Sequence, residues 1–421
     1  MIFKRKQNLE IISGIDIGSS AVRVVVGQYD PDEKNKRNIQ ILAAVEVPSE
    51  GVHKGVITSI EECVSSVSNA LEKTERTIGC PIEHLWVGIS GTDIISQESK
   101  GVVAVAKTDG EIEDEDVDRA VEAARTVAAP LNYEVLHVIP MTFSVDGQTG
   151  IKDPVGMTGI RLEADTRIIY GLSSHIKNIT KTVYRAGVDI DDLVLSILAN
   201  GEVVTTPRQK ELGVVVVNIG SSTTSLVVYE DGDVVHTAVI PVGSEHITND
   251  VAIGLRSSID VAERVKIYFG ECEADKILKK EKINLKDCGS EVFEEVSKKY
   301  VAEIVGARVA EILEKVNEEL TSVQKAGVLP AGVLFTGGGS KIGGLVEFSK
   351  DIMGLPASLG YPLDIKGAAD KVKDLSFGTS IGLLKWGTML HSTGMKSSLP
   401  LVNSSSKIVE KIQSLFKSLI P

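Results

Sequence analysis

Two widely separated segments of the chain share one pattern, which is an apolar strand, a turn of small residues and a second apolar strand. The first reads GIDIGSSAVRVVVG at Gly14–Gly27, and the second reads GVVVVNIGSSTTSLVVYEDG at Gly213–Gly232. In the second copy a DG pair at Asp231–Gly232 leads into a third apolar segment, as in a β-hairpin. The sequence therefore predicts an internal repeat in which each copy opens a β-meander on a mixed sheet.

Further periodic segments predict the elements around the repeats. The segment VLFTGGGSKIGGLVEF at Val333–Phe348 predicts a buried strand, a GGGS turn and an amphipathic helix that begins near Lys341. A long amphipathic helix is predicted to begin near Tyr300. Between the repeats the pattern predicts a small α+β unit, with strands at Val87–Ile94, Gly101–Ala106 and Thr142–Val145 and a helix at Glu111–Val127.

The C-terminal segment combines a linker composition with a helical apolar stripe. Thr388–Ser406 is rich in Ser, Gly, Thr and Pro and predicts a flexible linker. The apolar residues that follow recur at helical spacing and form one stripe: Ile408, Val409, Ile412, Leu415, Phe416, Leu419 and Ile420. Lys407, Lys411 and Lys417 flank this stripe. The helix is too short to span a bilayer, so it lies in a membrane interface, folds back onto the body or pairs with a partner helix.

Length, charge and cysteine content limit the class of protein. A chain of 421 residues is long enough for two or more domains. A net charge of −13 argues against a nucleic-acid partner, whose phosphates need a basic surface. The four cysteines form no CxxC pair, so neither a disulfide framework nor a zinc site is expected, and a reducing cytosol fits best. No apolar segment follows the basic N-terminus, so no signal peptide is expected.

The turns of the two repeats carry the residue types that hold anionic oxygens. Gly18 and Gly220 let the backbone approach a ligand closely, and the residues after them offer hydroxyls and exposed N–H groups. Two such hairpins could grip a polyphosphate from both sides, although each alone could be an ordinary turn. Asp16, the sole carboxylate at the two hairpin mouths, is suited to hold Mg²⁺ through water. Asn218 occupies the matching place in the second copy.

The order of two phosphate hairpins and a glycine-rich turn resembles the superfamily that contains actin, heat-shock chaperones and sugar kinases. Within it the chain resembles the FtsA family of bacterial cell-division proteins, from about Ile11 to Leu390. The pilus-assembly PilM proteins are a second, weaker resemblance. The runs that carry the first resemblance are KGVITSIEE (Lys54–Glu62), VGISGTDI (Val87–Ile94), HVIPMTFSVDGQTGIKDPVGMTGIRLEAD (His137–Asp165), HTAVIPVGSEHITNDVAIGL (His236–Leu255) and VAERVKIYFG (Val261–Gly270).

The resemblance implies an α/β, actin-like two-lobed ATPase fold with an inserted small α+β subdomain and a C-terminal amphipathic helix. The first lobe would comprise residues 1–83 and 166–200, with the insertion at 84–165. The second lobe would comprise 201–260 and 330–387, with a partner-binding subdomain at 261–329. A flexible linker at 388–406 and a membrane-targeting helix at 407–421 would follow. In this family the inserted unit contacts the neighbouring protomer of a filament.

The resemblance also implies a cleft for ATP and Mg²⁺. Its residues would be Asp16, Gly18, Ser19, Ser20 and Arg23 at the first loop, Asn218, Gly220, Ser221, Ser222 and Thr223 at the second, and Glu263, Lys266, Gly337, Gly338, Gly339 and Ser340 around the nucleoside. Arg23 could instead be an outward residue of its strand, and Glu263 with Lys266 a plain surface ion pair.

Two departures from the superfamily pattern predict weak or absent ATP hydrolysis. Actin-like ATPases place an Asp at the second hairpin mouth and a Gln near the connecting helix, whereas this chain has Asn218 and Ser196. An Asn side chain cannot act as a base, and Ser is too short to reach a water that Gln could touch.

The partners implied by the resemblance are the C-terminal tail of the tubulin-like protein FtsZ, further copies of the chain, membrane lipids and other division proteins. Arg308 sits where the family has an Arg that pairs with the FtsZ tail, and Lys298 and Lys299 could add charge or simply face solvent. The expected location is the cytoplasmic face of the cell membrane at the division site. The alternatives are a PilM-like pilus scaffold, a sugar kinase or a chaperone. The latter two would need a sugar pocket with a catalytic carboxylate or a β-rich substrate domain, and the sequence has no motif for them.

Overall fold

The computed structural model describes residues 9–30, 39–126, 129–291, 293–367 and 370–391. The strands there are β1 Glu10–Ile17, β2 Ala21–Tyr29, β3 Ile39–Pro48, β4 Val52–His53, β5 Val56–Ile57, β6 His84–Ile89, β7 Ile95–Ala104, β8 Tyr133–Val145, β9 Gln148–Ile151, β10 Arg161–Leu172, β11 Asp189–Leu195, β12 Val214–Ile219, β13 Thr224–Glu230, β14 Asp233–Ile240, β15 Lys282–Asn284, β16 Glu295–Ser297, β17 Val333–Thr336, β18 Ala357–Leu359 and β19 Ile365–Gly367. The helices there are α1 Ile60–Ile78, α2 Asp114–Arg125, α3 Ser173–Arg185, α4 Ser196–Val204, α5 Pro207–Leu212, α6 Ser244–Leu255, α7 Ile259–Phe269, α8 Lys298–Ser322, α9 Leu345–Met353 and α10 Gly378–His391.

Each lobe is built on a mixed sheet that begins with an antiparallel meander, and the predicted repeat is therefore confirmed. The first sheet has the order β11-β6-β1-β2-β3-β19, and the second has the order β14-β13-β12-β17-β18. In both sheets the first strand of the meander also pairs with a parallel strand, β6 beside β1 and β17 beside β12. Asp16 is thereby aligned with Gly88, and Asn218 with Thr336.

The first sheet carries α1 and α3 on one face. The amphipathic pattern of α1 buries Val67 and Leu71 among the sheet valines. Gly79, in the left-handed conformation with φ of 78°, ends the helix and donates its N–H to the Glu75 carbonyl.

The inserted subdomain is an antiparallel sheet with the order β7-β10-β8-β9, covered on one face by α2. The predicted boundaries of 84 and 165 are wrong. β6, which begins at His84, pairs with β1 and β11 of the first sheet, and β10 continues to Leu172 while paired with β7 and β8. The predicted helix begins at Asp114 rather than Glu111, and its predicted end at Val127 lies outside the described residues.

The second lobe extends into a helical subdomain formed by α6, α7 and α8 with the β15–β16 hairpin. α8 begins at Lys298, close to the predicted Tyr300, and its apolar face packs into the core of the lobe. The helix predicted to begin near Lys341 begins only at Leu345, because Gly338–Lys341 form a turn of 3₁₀ helix. Gly344, with φ of 74°, separates that turn from α9.

Two helices, α4 and α10, pack against each other between the lobes. α10 also packs on β1, where a Cβ on Gly14 would lie 2.9 Å from the Ser380 carbonyl oxygen. The assignment of 330–387 entirely to the second lobe is therefore wrong, since β19 joins the first sheet and α10 covers it. The predicted linker start at Thr388 is also wrong, because this buried residue lies within α10. Within the described ranges no helix is long and apolar enough to cross a membrane.

Candidate functional site

The first loop of the site connects β1 to β2 and is closed by its own backbone. The Gly18 N–H donates to the Ala21 carbonyl at 3.0 Å, and a Cβ on Gly18 would lie 3.0 Å from the same oxygen. Ser19 Oγ accepts a hydrogen bond from the Gly55 N–H at 3.1 Å, whereas Ser20 is exposed. One backbone hydrogen bond therefore closes the loop, and the hydroxyl of Ser19 is oriented by the turn between β4 and β5.

Asp16 and Ser196 share a corner at the end of β1. A Cβ on Gly88 would lie 3.5 Å from Asp16 Oδ1 and 2.8 Å from Ser196 Oγ, so both side chains converge where glycine leaves space. Ser196 Oγ is buried and has no hydrogen-bond partner. Burial raises the pKa of Asp16, and the nearby positive charge of Arg23 partly opposes this rise. The unpaired hydroxyl of Ser196 beside the carboxylate of Asp16 suits a site for a hydrated cation. The carboxylate would interact with the cation through its bound water, and that water would give the hydroxyl a hydrogen-bond partner.

This corner contains too few ligands to hold a metal by protein groups alone. In the part of the chain that the structure describes, no group of three or more His, Cys, Asp or Glu residues could hold a metal ion. Mg²⁺ at Asp16 would therefore take its remaining oxygens from water and from phosphate, as is usual for this cation.

Arg23 lies beside the first loop but is already paired with a carboxylate. Its Nε donates to Glu46 on β3 at 2.7 Å, and its guanidinium lies 5.9 Å from the centre of the Phe377 ring. Its Nη1 is 3.9 Å from the position that a Cβ on Gly18 would take. The guanidinium is thus within reach of the loop, and a phosphate there would compete with Glu46. Its predicted contact with phosphate stays a prediction.

The second loop repeats the closure of the first and adds a carboxylate that the sequence reasoning missed. The Gly220 N–H donates to the Thr223 carbonyl at 2.9 Å. Ser221 Oγ and Ser222 Oγ donate to Glu245 Oε2 at 3.2 Å and 2.8 Å. Glu245 lies in the first turn of α6, where the helix dipole stabilises a negative charge. This position near a helix N-terminus is the sequence feature from which the carboxylate could have been predicted. With its hydroxyls turned to Glu245, the loop would offer its backbone N–H groups to an anion.

The glycine-rich turn is fitted against Asn218. Gly337 has φ of 86°, and a Cβ on it would lie 2.2 Å from Asn218 Oδ1. A Cβ on Gly339 would lie 2.5 Å from Cγ2 of Ile219, whereas one on Gly338 would meet nothing within 4 Å. The turn therefore needs glycine at two of its three positions in order to approach the second hairpin.

A pocket adjoins this turn on the side of α9. It has a volume of about 490 Å³ and is lined by Ser340, Lys341, Ile342, Leu359, Tyr361 and Leu375 among others. Ser340 Oγ donates to the Thr336 carbonyl at 2.5 Å and is buried. Of the residues predicted around the nucleoside, Ser340 lines this pocket, whereas Glu263, Lys266 and Gly337–Gly339 do not.

Glu263 and Lys266 share one face of α7, as predicted from their spacing. Lys266 Nζ lies 2.7 Å from Glu263 Oε2 and also donates to Thr248 Oγ1 at 2.8 Å and the Ser244 carbonyl at 3.3 Å. The ammonium is buried and braces α7 against the start of α6, beside the second loop. The pair is therefore more than a solvated surface contact, and a direct contact with nucleotide stays a prediction.

The residues predicted to bind a partner are engaged within the second lobe. Arg308 on α8 donates from Nε and Nη2 to the two carboxylate oxygens of Asp250 at 2.6 Å and 3.0 Å, and from Nη1 to Glu311. These carboxylates raise the pKa of Arg308. Lys299 lies 3.2 Å from Asp275, and Lys298 lies 3.0 Å from Glu281. An incoming acidic tail would have to compete with these carboxylates.

The residues predicted for the membrane-targeting helix, 407–421, lie outside the described residues, as does the predicted linker from residue 392 onward.

Two lobes that each begin with a meander closed by a small-residue loop, together with a glycine-rich turn, define an actin-like fold, and comparisons with solved structures agree. The PilM–PilN type IV pilus biogenesis complex matches with a TM-score of 0.65 at 15% identity, covering 90% of this chain and 98% of that chain. MreB5 of Spiroplasma citri, solved with ADP bound, matches with a TM-score of 0.53 at 13% identity, covering 92% of this chain and 99% of that chain. The predicted fold class is confirmed.

Sequence comparison identifies the family within that class. Residues 215–382 match the family model "Cell division protein FtsA", and residues 91–170 match "SHS2 domain inserted in FTSA". The cell division protein FtsA of Pseudomonas aeruginosa is 36% identical over 93% of this chain and 93% of its own length. That of Bacillus subtilis is 37% identical over 90% of this chain and 84% of its own length. The chain belongs to the FtsA family of cell-division proteins.

Proposed function

We propose that the chain is a nucleotide-binding, actin-like adaptor that links FtsZ filaments to the cytoplasmic face of the membrane at the division site. The observation that supports nucleotide binding is that equivalent backbone hydrogen bonds close the two loops. The Gly18 N–H donates to the Ala21 carbonyl, and the Gly220 N–H donates to the Thr223 carbonyl. Each loop follows a strand of a central sheet and precedes an antiparallel strand, so the lobes carry equivalent anion-binding turns. Bound ATP would supply the polyphosphate that bridges them.

ATP would be held with Mg²⁺ and hydrolysed slowly or not at all. Asp16 would hold the cation through water, the two loops the phosphates, and the pocket beside Gly337–Ser340 the nucleoside. Asn218 offers an amide where a base would be needed, and Ser196 Oγ has no partner that could activate it. Steady-state turnover on the order of 1 s⁻¹ or more, as in an efficient ATPase, would contradict this proposal.

The helical subdomain of the second lobe offers a surface suited to an acidic and apolar peptide. Ile253, Tyr300 and Phe293 are exposed there, and Arg308 supplies the positive charge. We expect the FtsZ tail peptide to bind the chain and the Arg308→Glu variant to lose that binding in fluorescence anisotropy. Lys315→Glu, on the same helix, is the control for a general change in charge. If a pilus-protein peptide binds and the FtsZ tail does not, the PilM-like scaffold alternative is favoured instead.

Membrane attachment would come from the predicted amphipathic helix at 407–421. A single short helix is a weak anchor, so self-assembly of the chain would multiply it. Liposomes containing anionic lipid should pellet the full chain but not a chain that ends at Leu399. Equal pelleting of both would contradict the anchor. Further division proteins would join the complex through the remaining surfaces.

A further inference from the structure

The inserted subdomain is joined to the first lobe by two crossings of the chain, and one side-chain pair ties them together. The outgoing crossing runs through residues 90–94, after β6, and the returning one lies where β10 meets α3. Asp93 lies in the outgoing crossing and His175 in the first turn of α3. His175 Nδ1 is 2.9 Å from both carboxylate oxygens of Asp93, and the ring is 1% exposed.

The same pair is linked to the first loop of the proposed nucleotide site through Gly55 and Gly91. The Gly55 N–H donates to Ser19 Oγ at 3.1 Å, and a Cβ on Gly55 would lie 3.0 Å from Gly91 Cα. A Cβ on Gly91 would in turn lie 2.5 Å from Asp93 Oδ1 and 2.8 Å from His175 Cε1. A continuous path of contacts without spare volume therefore leads from the loop to the junction of the inserted subdomain.

The histidine ring is held by this one pair. His175 Nε2 is buried and has no hydrogen-bond partner, so the hydrogen bond to Asp93 is the polar contact that an apolar side chain of similar size would lose. The feature that only the imidazole supplies here is the Nδ1–H, which donates to Asp93. The hydrogen bond between His175 and Asp93 is thus suited to holding residues 90–94 in position, which packing of the ring alone would not do.

We propose that Asp93 and His175 are positioning residues that transmit occupancy of the first phosphate loop to the inserted subdomain. This inference rests on the proposed binding of nucleotide. When the loop closes on phosphate, movement of Ser19 shifts the Gly55–Gly91 contact, and the Asp93–His175 pair carries that shift into β7. The inserted subdomain also has a second connection, which leads to the second lobe. Lys152 Nζ of the subdomain donates to the Asp231 carbonyl at 3.1 Å and to the Asp233 carboxylate, both of which belong to the second lobe.

Hydrogen–deuterium exchange of the full chain, with and without AMPPNP and Mg²⁺, tests the proposal. In the wild type, nucleotide should slow exchange at 17–22 and also at 92–98, by about fivefold or more. In Asp93→Ala and His175→Leu, nucleotide should still slow exchange at 17–22 but should no longer slow it at 92–98. His175→Asn should retain the slower exchange at 92–98, because the Asn amide can donate to Asp93 from about the position of Nδ1. Lys152→Ala, which removes only the contact with the second lobe, should show the same nucleotide-dependent protection at both segments as the wild type.

Each outcome bears on a different claim. Protection at 17–22 without any change at 92–98 in the wild type would overturn the inference and leave the proposed function standing. Loss of the effect in Lys152→Ala but not in Asp93→Ala would overturn it in favour of the second connection. Absence of protection at 17–22 in the wild type would overturn nucleotide binding and the inference together. Retained protection at 17–22 in the variants shows that their loop is still folded.

Discussion

Gly337 and Gly338 are neighbours in the glycine-rich turn but have opposite surroundings, and this allows a matched pair of substitutions. Gly337 has φ of 86° and ψ of 165°, a conformation that essentially only glycine adopts. A Cβ there would lie 2.2 Å from Asn218 Oδ1 and 2.6 Å from the Ile219 carbonyl oxygen. A Cβ on Gly338 would meet nothing within 4 Å, and its φ is not positive. We therefore predict that Gly337→Ala is strongly destabilising and that Gly338→Ala is close to neutral.

The magnitude follows from two costs at Gly337. The backbone conformation should cost an alanine about 1–3 kcal/mol, and forcing a methyl group against a fixed oxygen about 1–3 kcal/mol more. The free energy of unfolding of Gly337→Ala should therefore fall by about 2–6 kcal/mol, whereas that of Gly338→Ala should stay within about 1 kcal/mol of wild type. Urea unfolding followed by circular dichroism measures both, and binding of a fluorescent ATP analogue reports on the turn. Equal unfolding midpoints for the two variants would show that the contacts of Gly337 do not require glycine.

Three further predictions test the site and its surroundings. Asn218→Asp should raise steady-state ATP turnover by about tenfold or more, because it returns a carboxylate to the second hairpin; unchanged turnover would remove Asn218 as a limiting group. Burial raises the pKa of Asp16, so the folded state binds a proton more tightly than the unfolded chain, and the wild type should lose stability as pH rises from the ordinary carboxyl pKa through the raised one. Without nucleotide, Asp16→Asn should therefore melt at a higher temperature than wild type at pH 7, with the difference vanishing at low pH, and a lower melting temperature at pH 7 would contradict this. Arg308→Ala and Asp250→Ala should show a coupling of about 0.5–1.5 kcal/mol in a double-mutant cycle of urea unfolding, and additive effects would mean that the bidentate pair contributes nothing.

The parts of the fold that local chemistry determines could be predicted from the sequence. The Asp231–Gly232 turn is one example, since both residues adopt positive φ, 51° and 84°, and connect β13 to β14 as a DG pair should. The two meanders and α8 are others, because their apolar periodicity extends over the whole element. The family could also be predicted from runs of residues, and those at His137–Asp165, His236–Leu255 and Val261–Gly270 lie within the segments that match the family models.

The parts that depend on distant contacts could not be predicted in this way. A strand was predicted near β6 and none was predicted at β10, and the sheet that each strand joins is decided by partners far along the chain, so the boundaries of the insertion were misplaced. The Arg23–Glu46 pair and the contact of Glu245 with the second loop were not predicted for the same reason, since the partners are 23 or 24 residues apart in the sequence. The late start of α9 was missed because the glycine-rich turn continues as 3₁₀ helix, which periodicity does not separate from an α-helix.

Recruitment of FtsZ tail peptide to a membrane by this chain is the direct measurement of the proposed adaptor role. A fluorescent FtsZ C-terminal peptide is mixed with anionic liposomes, ATP and Mg²⁺, and its co-sedimentation is measured with the full chain or with the chain that ends at Leu399. We expect the peptide to pellet only with the full chain, and we expect Arg308→Glu to prevent this while the chain itself still pellets. A peptide that stays in solution while the full chain pellets, or that pellets equally with the truncated chain, would rule out the adaptor role.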